Sequence, residues 1–198
     1  RPVMIHTFLA AVAMTCLFPL LWMVRGSFMT NETIFREASI FPKVFHVRNY
    51  VEAWVSGNFG TYFMNSLIYT VAAVFLIVVI SSLAAYAFSR LTFPGKNVFF
   101  WMFVGAMMVP LPGSFVPLVV LMNKLGLANT RLGFILCMTN VGLSMSIVLM
   151  KTFFDKMSKD LEDAARIDGC GPWKIWWHVA LPLARPAIAV VVIFNSLM

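Results

Sequence analysis

The sequence predicts an all-α membrane protein built as a polytopic bundle of transmembrane helices. Hydrophobic residues make up 61% of the chain and charged residues only 12%, whereas soluble domains are about one-quarter charged. The charges also avoid the long apolar runs and cluster between them. Each complete run is long enough, at about 20 residues, to cross the hydrocarbon core as a helix.

Four runs are predicted to be complete spans and a fifth is cut short. The predicted spans are Met4–Val24, Ser66–Phe88, Val98–Met122, Leu132–Met150 and a last one that begins near Ala184. Since the last run is shorter than the about 20 residues that a span needs, we expect a longer native polypeptide. In it a completed fifth span and a sixth would return the carboxyl end to the cytoplasm.

The third span contains an unusual group of helix-breaking residues, Pro110, Pro112, Gly113 and Pro117. Proline removes a helix hydrogen bond and bends the axis. We therefore predict that this span is bent or unwound between Val109 and Pro117. Broken helices often line a substrate path in transporters, but proline is also common in membrane helices that bend only for packing, and both interpretations stay open here.

The fourth span carries Asn140 and Ser144, which are four residues apart and share one helix face. These side chains are suited to hydrogen-bond a sugar, or to contact a neighbouring helix, and the second interpretation is favoured because such contacts are frequent. In the second span Ser81, Ser82, Ala84 and Ala85 are small residues that let another helix approach closely.

The longest polar interruption in the second half of the chain runs from Ser158 to Pro186. Ser158 is a favourable N-cap for a short helix, and Gly169 is suited to end it in a left-handed conformation. Gly171-Pro172 then begins a second helix, with proline at the first helical position. Residues three and four apart on one face of the first helix are small or acidic at most positions: Leu161, Ala164, Ala165 and Asp168.

This segment resembles the cytoplasmic loop of the membrane subunits of ATP-binding-cassette importers. The family pattern is Glu-Ala-Ala, three residues, Gly, nine residues, Ile, any residue, Leu-Pro. Asp163-Ala164-Ala165, Gly169, Val179 and Leu181-Pro182 occupy its positions, with Asp for Glu and Val for Ile. The longer form of the carbohydrate-importer branch, from Ala165 to Pro186, is also present. The alternative interpretation is an amphipathic helix at the membrane surface that has no partner.

The resemblance implies a single permease domain over residues 1–198 in the bacterial inner membrane, with a coupling loop at 151–182. Its part from 158 to 182 would contact a cytoplasmic ATPase. The expected coupling residues are Asp163, Ala164, Ala165, Asp168, Gly169, Leu181 and Pro182. The expected partners are two ATP-binding subunits, which carry ATP and Mg²⁺, a second permease subunit and an extracytoplasmic solute-binding protein.

The basic residues predict the orientation of the spans. With the amino terminus inside, the inner segments carry more Lys and Arg than the outer ones, as cytoplasmic loops usually do. This arrangement also places the coupling loop in the cytoplasm. Basic loops beside an anionic bilayer explain the net charge of +7, so we expect no nucleic-acid partner.

The chemistry that the sequence lacks narrows the function further. There is no glycine-rich phosphate loop, so nucleotide hydrolysis belongs to a partner. The complete spans carry no Asp, Glu, Lys or Arg, which ion-coupled transport usually needs. Three scattered histidines form no catalytic or metal cluster, which disfavours a membrane enzyme. A sugar, glycerol phosphate and another polyol stay open as solutes, and the alternative function is an uncoupled channel or scaffold subunit.

Overall fold

The structure is a computed structural model that describes residues 2–36 and 42–197, apart from the side chains of Pro2, Leu111 and Pro112. Within these residues every regular element is a helix and no strand occurs. The predicted all-α class is therefore confirmed. The chain divides into two compact units, residues 1–64 and 65–198.

The described helices follow one another along the chain with short connections. They are α1 (Pro2–Ser27), α2 (Arg48–Val55), α3 (Phe59–Arg90), α4 (Lys96–Ala106), α5 (Leu111–Lys124), α6 (Arg131–Lys156), α7 (Asp160–Ile167), α8 (Pro172–Ile175), a π-helical turn (Trp176–Ala180), α9 (Leu181–Leu183) and α10 (Arg185–Ser196).

In the first unit the start of α2 covers the carboxyl end of α1. Asn49 Nδ2 donates to the carbonyl oxygens of Ser27 at 3.0 Å and Met29 at 2.9 Å. The Tyr50 hydroxyl and Ser27 Oγ share a hydrogen bond of 2.6 Å. Because the last carbonyls of a helix have no partner within it, Asn49 satisfies groups that would otherwise need water.

Three of the described helices, α1, α3 and α6, are long and apolar enough to cross a membrane. A fourth crossing is possible if Pro172–Leu183 and Arg185–Ser196 form one span, and these two helices meet at an angle of 73°. The predicted spans Met4–Val24, Ser66–Phe88 and Leu132–Met150 lie within α1, α3 and α6. Each helix extends beyond its apolar run, because hydrogen bonding continues into the polar flanks.

The third predicted span, Val98–Met122, is divided into two helices. α4 ends at Ala106, α5 begins at Leu111, and between them Pro110 has an extended backbone with φ −66° and ψ 134°. The predicted break therefore exists. At 11 and 14 residues, α4 and α5 are each shorter than the about 20 residues needed to cross the bilayer.

The sequence predicted a break that extends to Pro117, but in the structure the break ends before α5. Pro117 lies inside α5, where it withholds one hydrogen bond from the carbonyl of Gly113 without ending the helix. Pro112 lies in the first turn of α5, where a backbone N–H would have no partner within the helix and its loss costs little.

The core of the second unit lies between α3, α6 and the run from α8 to α10. Ala85, Ala180 and Ala184 are completely buried there, so their helices approach closely. Ser81 and Ser82 of α3 are also completely buried, and each donates to a carbonyl of its own helix. Of the four small residues predicted to accept a neighbouring helix, Ser81, Ser82 and Ala85 are buried, whereas Ala84 is only half-buried.

Candidate functional site

The predicted coupling loop folds as a short helix followed by a tight turn. Ser158, the predicted N-cap, lies one residue before the N-cap of α7, which is Lys159 and has no side-chain cap hydrogen bond. Ser158 Oγ still accepts the backbone N–H of Asp160 at 3.2 Å, and α7 then runs to Ile167. Gly169 has φ +78°, as its predicted left-handed position requires.

Two backbone hydrogen bonds define the turn after α7. The N–H of Gly169 donates to the carbonyl of Arg166 at 3.0 Å, and the N–H of Cys170 donates to the carbonyl of Ala165 at 2.9 Å. This pair of bonds is the Schellman motif, which satisfies carbonyls at a helix end and reverses the chain. The next helix, α8, begins at Pro172 as predicted.

The predicted coupling residues on α7 do not all face the same way. Asp163, Ala164 and Asp168 are exposed, as is Gly169 after the helix. Ala165 is half-buried and packs against the core of the second unit. Ala164 is therefore the small residue at the centre of the exposed face of α7, and Ala165 lies at the inner edge of that face.

Leu181 and Pro182 follow a widened helical turn. The N–H of Leu181 donates to the carbonyl of Trp176, five residues earlier. Pro182 has no N–H for the carbonyl of His178, and its ring would crowd that carbonyl in a regular helix. The π-helical turn provides the necessary space, and such turns often mark functional sites. Leu181 is half-buried against the core, whereas Pro182 is exposed.

The buried residue of α7 is Glu162, which the sequence analysis did not select. Its side chain is 2% exposed, and Oε1 lies 2.7 Å from Nε of Arg90, whose side chain is 4% exposed. The contact is a close ion pair rather than an aligned hydrogen bond. A signal was available, because Glu162 and Ala165 are three residues apart and share the inner face of α7.

The predicted pathway residues lie at two places in the second unit. Pro110 and Gly113 are exposed at the break before α5, and Pro112 is in the first turn of α5, with its side chain outside the described part. Asn140 is exposed on α6 and lines a groove of about 590 Å³ between α5 and α6. Ser144, which is half-buried, does not line this groove.

A second cavity lies between α3, α6 and α10 and has a volume of about 210 Å³. Ser66, Tyr69 and Thr70 of α3 line it, together with Phe134 and the buried Asn195. The rings of Tyr69 and Phe134 lie 4.9 Å apart. The sequence analysis missed these polar residues, although their spacing of three and four places them on one helix face.

No group of three or more His, Cys, Asp or Glu side chains is placed to bind a metal ion within residues 2–36 and 42–197. The groove between α5 and α6 and the cavity between α3, α6 and α10 both have uncharged linings. Such a surface can hydrogen-bond a neutral polar molecule and contact its apolar faces.

Residues 55–198 match the family described as "Binding-protein-dependent transport system inner membrane component". The chain is 33% identical to the diacetylchitobiose uptake system permease protein NgcG of Streptomyces coelicolor over 192 residues, which are 97% of this chain and 64% of that protein. It is 36% identical to the probable ABC transporter permease protein YurM of Bacillus subtilis over 186 residues, 94% of this chain and 60% of that protein.

A solved structure has the same fold. A chain of a bacterial ABC transporter involved in the import of the acidic polysaccharide alginate matches with a TM-score of 0.88 and 25% identity, covering 99% of this chain and 69% of that one. The chain thus spans about 60% to 64% of the length of NgcG and YurM.

Proposed function

Because this chain belongs to the family of inner-membrane components of binding-protein-dependent transport systems, we propose that it is the membrane-spanning subunit of an ATP-driven importer. It is a multi-pass inner-membrane protein. In the proposal its spans form the path of a sugar or a related polar solute. Two cytoplasmic ATPase subunits bind ATP and Mg²⁺, and a second permease subunit and an extracytoplasmic solute-binding protein complete the complex.

The observation that carries the proposal is the exposed surface of α7. Leu161 is 50% exposed and Ile167 is 86% exposed, although both are large apolar side chains. They lie beside the exposed Ala164 and the acidic Asp163. An apolar helix surface with a small residue at its centre allows the backbone of a partner to approach closely, and a groove on the ATPase is the partner that the family provides.

The turn at Gly169 supports a mechanical role for this helix. The Schellman bonds hold α7 at a defined angle to the chain that follows, and that chain continues through α8 and α9 into α10. Closure of the two ATPase subunits would displace α7 as a rigid body. The displacement would then pass into the spans and switch the path between outward and inward access.

The solute is proposed from the two grooves and from the relatives. Both grooves are uncharged and combine aromatic rings with hydroxyl or amide groups, which suits the hydroxyls and apolar faces of a sugar ring. NgcG belongs to a diacetylchitobiose uptake system and the solved transporter is involved in the import of alginate. We propose a carbohydrate of this general class, an oligosaccharide or a related polyol.

The test is transport by the reconstituted complex. The full-length permease, its partner permease and the ATPase are incorporated into proteoliposomes, and the binding protein is added outside with a labelled oligosaccharide. Candidate solutes are first selected by the thermal shift of the binding protein. Uptake that needs both ATP and the binding protein supports the proposal. ATP-independent downhill flux would support the alternative of an uncoupled channel, and a complex without flux would support a scaffold.

A further inference from the structure

The last turn of α3 contacts the end of α6, the link after it and α7 through two adjacent side chains, Ser89 and Arg90. Arg90 pairs with Glu162 of α7, and its Nη2 also donates to the carbonyl of Met157 at 2.7 Å. Ser89 Oγ donates to Asp155 Oδ1 of α6 at 2.7 Å. One helix end therefore contacts α6, the link after α6, and α7.

These contacts differ strongly in burial. The side chains of Arg90 and Glu162 are 4% and 2% exposed, whereas the Asp155 side chain is 45% exposed and also pairs with Lys151. Exposed ion pairs are weakened by water and salt. The Arg90–Glu162 pair is shielded from both, so it is the contact that can hold α7 on α3 under load.

A buried ion pair contributes little net free energy to the stability of a fold. Removing two charges from water costs about as much as their attraction returns, and well-packed apolar residues often serve equally well. The pair does fix position, because neither partner can slide away without leaving the other charge buried and unpaired. Most of α7 is otherwise exposed, so Glu162 is its main polar contact with a span.

We propose that the Arg90–Glu162 ion pair joins α7 and the end of α3 into one rigid unit, so that displacement of α7 moves span α3 directly. The inference rests on the proposed function, since it assumes that an ATPase displaces α7. Arg90 and Glu162 are positioning residues in this scheme and touch neither nucleotide nor solute. The chain then has two connections from α7 to the membrane, one through α8 to α10 and one through Arg90.

The experiment measures the number of solute molecules imported per ATP hydrolysed in proteoliposomes that contain the complete complex. Glu162→Gln keeps the shape of the side chain and removes its charge. We expect the complex to retain ATP hydrolysis while this ratio falls about five-fold or more, the lower range of coupling between distant sites. The matched control is Glu52→Gln, which breaks the exposed Arg48–Glu52 pair and should leave the ratio unchanged.

A double variant separates positioning from mere stabilisation. Glu162→Gln alone leaves the Arg90 charge buried without its partner and should lower the thermal midpoint of the complex. Arg90→Met with Glu162→Leu replaces the pair by apolar side chains and should bring the midpoint back towards the wild-type value. We expect the transport ratio to stay low, because apolar side chains can slide past one another. If the ratio recovers together with stability, or if Glu162→Gln leaves it unchanged, the inference is overturned. If the wild-type complex shows no ATP-dependent uptake, the proposed function fails instead.

Discussion

Gly169 provides the sharpest test of the coupling loop. Its backbone has φ +78°, and an added Cβ would meet no atom within 4 Å. The Cβ of a substituted residue therefore meets open space, and the expected direct effect of valine is on the backbone conformation. For an L-residue the left-handed region costs about 1–2 kcal/mol, and a β-branched residue is a clear outlier there.

The magnitude follows from this cost. A change of about 1–2 kcal/mol lowers an equilibrium constant by roughly 5- to 30-fold. If the Schellman turn must form for α7 to dock, Gly169→Val should weaken the binding of the ATPase to the membrane subunits by up to that factor. Gly169→Asn should weaken it less, because asparagine accepts the left-handed conformation more readily.

The assay is a titration of the purified ATPase against the membrane subunits in nanodiscs, with insertion of each variant checked separately. The matched control is Gly171→Val. Gly171 lies in the same loop and an added Cβ there also meets no atom within 4 Å, but its φ of −74° is open to any residue. We expect Gly171→Val to bind normally. Equal affinities of the two valine variants would refute the reasoning.

Three further predictions concern packing, capping and docking. Gly142→Ala should lower the thermal midpoint of the complex, because the added Cβ would collide with Asn195 Oδ1 and overpacking typically costs about 1–3 kcal/mol. The control Gly105→Ala adds a Cβ with no neighbour within 4 Å and should leave the midpoint unchanged. Equal midpoints of the two variants would contradict this account. Thr130→Ala should destabilise the complex by about 1 kcal/mol, because Thr130 Oγ1 accepts the N–H of Gly133 at the start of α6; an unchanged chemical denaturation midpoint would argue against that cap. Ala164→Trp should leave the spans inserted but prevent co-purification of the ATPase, since the new ring would stand on the exposed surface of α7, and full recovery of the ATPase would show that this surface is not the docking site.

The turn at Gly169 and the helix start at Pro172 could be predicted because their signals are local. Glycine is the residue that adopts positive φ at little cost, so Gly169 indicated the turn. Proline at a helix start indicated Pro172. The division of the third span also followed from a local rule, but its limits did not. A proline ends a helix or is tolerated within one according to its surroundings, and Pro117 was tolerated inside α5.

The side-chain contacts between α6 and α10 could not be predicted in this way. Asn195 Nδ2 donates to Ser146 Oγ at 3.1 Å across 49 residues of sequence. Each polar side chain in an apolar helix was recognisable, and each needed a partner. The identity of the partner depends on how the helices cross, which hydropathy does not specify.

The sequence by itself determined the membrane class, the spans within α1, α3 and α6, the turn at Gly169 and the family. These properties depend on composition, on period and on residues within a few positions of one another. Only the tertiary structure decided which face of α7 is buried, and that Glu162 pairs with Arg90. A buried charge is costly unless it is paired with an opposite charge, and the fold decides which residue supplies it. Here that residue is Arg90 at the end of α3, far earlier in the chain than Glu162.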